Sequence, residues 1–131
     1  MLFPLEFWWC MDNFHIITNN PAVVNKYPDL SEFHETSVEG IIVLVRDKVH
    51  GGAKVLSHPL CGSVKPWESP YKSICVSKCN GRLDLSSLLT IENTIACIRN
   101  RRYVHNYTER VMEDFRVIDL DLISSAVDQM V

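Results

Sequence analysis

The sequence predicts a small three-layer α/β domain with a short, mostly parallel sheet flanked by helices. Short apolar, β-branched runs at 14–18, 53–57 and 73–78 read as buried strands. Apolar residues recur at helical spacing between and after them, and strands and helices alternate along the chain. At 131 residues there is room for one such domain around one core, placed at 14–131.

The start, "MLFPLEFWWCMDN", carries no cap, period or turn pattern that joins it to the rest of the chain. Residues 1–13 are read as an N-terminal extension outside the core, with Met11 as a second candidate start. The other reading is an extra strand or cap packing through Phe7, Trp8 and Trp9. The leader lacks a basic n-region and a cleavage site and is too short to span a bilayer.

"FHIIT" at 14–18 is the first strand and stops at "NNP", where Pro21 can open a helical turn through "AVVNKY". "TSVEGIIVLVRDKVHGG" at 36–52 is the clearest helix. Thr36 and Glu39 have capping-box spacing, Val38, Ile41, Ile42, Val45 and Val49 make an apolar stripe, and Gly51 and Gly52 supply a left-handed stop. "AKVLS" at 53–57 is the expected second strand and "SICVSK" at 73–78 the third, parallel or antiparallel.

After the "NGR" turn, Asp84 or Ser86 caps a helix carrying Leu88, Ile91, Ile95 and Ile98. Arg99, Arg101 and Arg102 in its last turn complement the helix dipole, a simpler account than a nucleic-acid patch. In the tail, Thr108 to Glu113 suits a short helix. "RVIDLDLI" alternates like a strand, yet Asp119 suits the cap of a closing helix through Ile123, Ala126 and Val127, and the helix is the preferred reading.

The net charge of −3 supplies no field that favours nucleic acid or an anionic membrane. Cys10, Cys61, Cys75, Cys79 and Cys97 are an odd, scattered set without zinc spacing, so free thiols in a cytoplasmic protein are expected. The histidines show no i, i+4 pair; no metal and no cofactor are implied.

"HPLCGSVKPWESPYKS" at 58–73 is too long for a plain connection, and its three prolines make it stiff. Ligands in open α/β sheets bind beyond the carboxyl ends of the strands. If the first two strands are parallel, Asn19, Asn20 and His58 share one rim with this loop. Gly62 and Ser63 offer backbone N–H groups, and Lys65 and Lys72 offer charge. The set suits a small anionic metabolite, a carboxylate or phosphate, without the spacing of a P-loop. His58 is the candidate acid or base. Cys61 as a nucleophile lacks an evident carboxylate orienter for His58, so a structural thiol is the simpler account.

"IITNNP", "HPLCGSVKP", "SPYKS" and "IDLDLISSA" together resemble the GrdX-type proteins, encoded with the glycine reductase system of anaerobic, amino-acid-fermenting bacteria. The resemblance runs from about Phe14 to the last helix. Its matching positions are Asn19, Asn20, Pro21, His58, Pro59, Gly62, Ser63, Lys65, Pro66, Pro70, Tyr71 and Lys72. Cys61 departs from the small residue of the pattern, and the leader falls outside it. The resemblance implies a cytoplasmic accessory protein, with glycine, sarcosine or betaine reductase components as partners, but no reaction. The alternative is a small enzyme that acts on an anionic metabolite through His58. An interaction protein is a third reading, should Phe7, Trp8 and Trp9 form an exposed patch.

Overall fold

Alternation in two five-residue strands divides the core into two apolar layers, one on each face of a three-stranded sheet. The computed structural model describes residues 14–60, 68–79, 81–99 and 106–130. Expectations for the leader, for Cys61, Gly62, Ser63, Lys65 and Pro66 in the loop, and for Arg101 and Arg102 lie outside these residues.

The strands are β1 (Phe14–Thr18), β2 (Ser31–Phe33) and β3 (Ser73–Ser77), in the order β2-β1-β3. The helices are α1 (Pro21–Lys26), α2 (Val38–His50), α3 (Leu85–Arg99) and α4 (Glu109–Met130). The sheet is mixed: β1 pairs with β2 in parallel and with β3 antiparallel. Ile17, Ile74 and Val76 meet the aliphatic stripes of α2 and α3 on one face. Phe14, Ile16 and Cys75 meet Val23 of α1 and Ile123 and Val127 of α4 on the other. The result is the three-layer α/β arrangement.

Strand order differs from expectation in two places. The parallel partner of β1 is the three-residue β2, reached through the short α1. Ile16 N–H donates to Leu30 O at 2.8 Å and His34 N–H to Thr18 O at 2.9 Å, closing its two ends. A strand this short and half-exposed has too few residues to display alternation.

Residues 53–57, expected as a full strand, contribute one isolated antiparallel bridge, Val55 to Val76. Serine hydroxyls take much of the ladder's place. Lys54 N–H donates to Ser77 Oγ, Val55 N–H to Ser87 Oγ and Cys75 N–H to Ser57 Oγ, at 2.8–2.9 Å. Side-chain acceptors that compete for backbone donors stop the segment from becoming regular sheet.

Caps set the helix ends. Asn20 accepts from Ala22 N–H at 3.0 Å with Pro21 in the first turn, so α1 forms despite its six residues. The cap of α2 is Ser37, which accepts from Gly40 N–H at 3.1 Å, so the Thr36–Glu39 capping box does not form. The side chain of Thr36 packs where a β-carbon on residue 40 would sit, which calls for glycine there. Glu39 pairs instead with Arg99 Nε at 3.2 Å. Of the two glycines at the other end, Gly52 is left-handed (φ 102°) and Gly51 remains helical. Asp84 caps α3, with its carboxylate accepting from Ser87 N–H at 3.2 Å.

The tail is one helix of 22 residues, not a short helix followed by a second one. Asp119 lies inside it, buried on the same face as Ile123 and Val127, and caps nothing.

Candidate functional site

Antiparallel pairing puts the end of β1 against the start of β3, with Thr18 opposite Ser73. Residues 54–57 run antiparallel to β3 and so leave the sheet at this same end. "NNP" and "HP" therefore do emerge together, but the first residues of β3 lie between them.

Asn19 is buried, and its side chain is a staple. Its amide donates to Thr36 O at 2.8 Å and Pro70 O at 2.9 Å, and its oxygen accepts from Lys72 N–H at 2.9 Å. Two connections are tied to the end of β1 by three bonds from one side chain. This is a structural duty, set beside the ligand contact expected of Asn19.

Asn20 has two partners besides its cap. Its amide donates to Arg116 O at 2.9 Å and to Asp119 Oδ2 at 3.0 Å. Asn20 N–H donates to Thr18 Oγ1 at 2.9 Å, Thr18 and Ser73 share a hydroxyl bond of 2.7 Å, and Ser73 donates to Asp119 Oδ2 at 2.7 Å. Ser73 spends its one proton on Asp119, so Thr18 must be the donor to Ser73. The bonds close a ring from Asn20 through Thr18 and Ser73 to Asp119 and back.

Asp119 is 7% exposed. Burial pushes its carboxyl above the ordinary range, against lowering contributions from Asn20, Ser73 and the nearby Lys72 charge. Cys75, on the same face of the sheet, is desolvated too, and its thiol is pushed up to about 12 despite a hydrogen bond with Ser57. Such a thiol is inert at neutral pH. Among the described cysteines Cys75, Cys79 and Cys97 are free.

A cavity of about 320 Å³ opens where these elements meet. Ser57, His58, Pro59, Lys72, Ser73 and Asp119 line one side; Leu122, Ile123, Ala126 and Gln129 of α4 and Leu56 line much of the rest. Lys72 Nζ donates to Pro59 O at 2.8 Å, which ties the two ends of the loop together. His58 is exposed at the lip, and its Nδ1 accepts from Leu60 N–H at 3.0 Å, so Nε2 is the nitrogen that carries a proton. The ammonium, the imidazole and the buried carboxylate thus share one space.

Of the residues named from the sequence, His58 and Lys72 line the cavity, while Asn19 and Asn20 build the frame behind it. Asp119 and Ser73 were not among them. The available signal was spacing: Asp119, Ile123 and Val127 recur every four residues, so an acid sits in register with an apolar stripe.

A second polar cluster lies at the β2 edge. Glu32 faces His34 Nε2 at 2.7 Å, Lys48 Nζ at 3.1 Å and His15 Nε2 at 3.9 Å. Burial works to raise the Glu32 carboxyl, but the bonds from His34 and Lys48 outweigh it and hold it below its ordinary value. Burial, then the Lys48 charge, lowers His15 against the pull of Glu32. These groups satisfy one another and tie α2 to the sheet. Among the described residues no group of three or more His, Cys, Asp or Glu side chains is arranged to hold a metal ion, and no helix is long and apolar enough to cross a membrane.

The family model described as GrdX-like protein matches residues 15–128, nearly the whole chain and both sides of the cavity. The chain belongs to the GrdX-like protein family. No curated protein and no solved structure matches it.

Proposed function

We propose that this GrdX-like chain is a cytoplasmic accessory protein of the glycine, sarcosine or betaine reductase system, and that it works by holding a small anionic metabolite. Family membership supports the first part. The cavity supports the second: Lys72 supplies charge and His58 an Nε2–H donor at a rim that Asn19 and the prolines hold still. A preorganised rim of this kind loses little entropy on binding.

An accessory role is favoured over an enzyme because, among the described residues, no carboxylate hydrogen-bonds His58, whose Nδ1 is taken by its own loop. Cys75, the buried thiol on this side of the sheet, is too basic to act as a nucleophile.

Thermal unfolding with acetate, phosphate, acetyl phosphate, glycine, sarcosine and betaine tests the site. A ligand at a hundred times its dissociation constant adds about 2.7 kcal/mol, a rise of roughly 10 °C for a domain of this size. Lys72→Ala should remove that rise. Its unliganded stability should drop by roughly 2 kcal/mol, for the lost charged bond to Pro59 O and the lost field on the Asp119 carboxylate. A rise that survives in Lys72→Ala, or none with any compound, would exclude the cavity as the site.

A further inference from the structure

Resting on that reading of the cavity, we propose that its ligand is a zwitterion, an α-amino acid with an apolar side chain, whose ammonium group is received by Asp119 and whose carboxylate is received by Lys72 and His58. Opposite charges line the same small space. An anion drawn to Lys72 shares the cavity with the Asp119 carboxylate, and an ammonium group on the same molecule offsets that like charge. A simple cation meets the converse problem with Lys72. A molecule carrying both charged groups on one carbon satisfies both residues at once.

The ring around Asp119 supports the assignment. Both side-chain hydrogen bonds to this carboxylate, from Ser73 and Asn20, end on Oδ2, and the Ser73 backbone N–H also bears on it. A carboxylate has about four acceptor sites, two on each oxygen, so acceptor capacity remains on Oδ1. The two bonds also fix the plane of the carboxylate, as a receptor for a directional N–H donor requires. Lys72 precedes Ser73 in the chain, and its charge is close enough to act on Asp119. Both charged residues line the cavity.

The remaining wall explains the side chain. Leu56, Leu122, Ile123 and Ala126 present aliphatic surface next to the charged end. A ligand with only charged atoms would leave this surface wet, whereas a short alkyl group would cover it. Gln129 and Ser125 stand at the α4 side of the cavity, where a second polar contact is available.

Calorimetric titration of the full chain with matched pairs separates this proposal from the anion reading beneath it. Alanine is paired with lactate, and valine with 2-hydroxyisovalerate; members of a pair differ only in ammonium against hydroxyl. The amino acid should bind about ten- to a hundredfold tighter than its partner, the usual worth of a charge-assisted bond. Asp119→Asn, whose amide oxygen can accept both ring bonds, should collapse that preference while weak binding through Lys72 remains. The unfolding midpoint of the variant is recorded alongside, and if it does not fold, the wild-type pairs decide alone. Equal binding within each pair, or binding of acetate and phosphate but of no amino acid, overturns the zwitterion and leaves the anion site standing. Binding of nothing overturns both.

Discussion

Asp119 and Glu32 are two carboxylates of one small domain, pushed in opposite directions. Asp119 is nearly sealed, bonded to neutral donors, and raised by burial. Glu32 has a side chain 39% exposed, faces two imidazoles and an ammonium, and is lowered. The difference shows what each is for in physical terms. Glu32 has its counter-charge, Lys48, already and sits in a finished polar cluster. Asp119 is held in place by hydroxyl and amide groups, with the Lys72 charge acting on it from nearby, beside a cavity with room for a guest. A structural acid tends to be lowered by its partners, whereas one that is buried and raised marks a candidate site.

The largest effect should follow from breaking the ring. Asn20→Ala removes the cap of α1 and one donor to a buried carboxylate, a loss of roughly 3 kcal/mol that urea unfolding would measure. Asp119→Asn should do the reverse at neutral pH and stabilise by about 1 kcal/mol, because it deletes a desolvated charge and keeps the ring.

The sign of the pH dependence sharpens the contrast. With its folded pKa raised, Asp119 costs nothing when protonated in both states. Its penalty grows as pH rises from the unfolded value, about 3.9, to the folded one. Asp119→Asn should remove that fall. Glu32 behaves oppositely: its stabilisation is present above its unfolded pKa of about 4.3 and is lost as pH drops through its depressed folded value. His15, lowered in the folded state, adds to the acid-side loss below its unfolded value of about 6.5. The smallest effect is therefore that of Glu32→Gln at neutral pH. A half-exposed pair network contributes about 0.5–1 kcal/mol, reduced further in 1 M salt. A salt-insensitive loss of several kcal/mol would place Glu32 with the core instead.

Much of this arrangement was legible in the residues. The five-residue apolar strands, the α2 and α3 stripes and the position of the loop at the sheet end follow from period and turn chemistry. So did His58 and Lys72, since the loop that carries them is too long and stiff for a plain connection. The ring was not legible, because three of its four bonds join residues 46 to 99 positions apart through tertiary packing alone. Val117 and Ile118, exposed at 57% and 39%, gave "RVIDLDLI" a false alternation and obscured the helical register that puts Asp119 inside. β2 was too short to leave a pattern. Residues 53–57 had the composition of a strand, but serine hydroxyls took several of its hydrogen bonds.

The most direct measurement is a carboxyl-carbon NMR titration of Asp119 and Glu32 in the same sample, without ligand and with saturating alanine. Without ligand, Asp119 should titrate above the ordinary aspartate value and Glu32 below the ordinary glutamate value. Alanine should lower the Asp119 midpoint, since an ammonium beside the carboxylate favours its charged form, and leave Glu32 where it was. If the two carboxyls titrate together at ordinary values, or if alanine moves Glu32 and not Asp119, the assignment of the cavity around Asp119 as the binding site is contradicted.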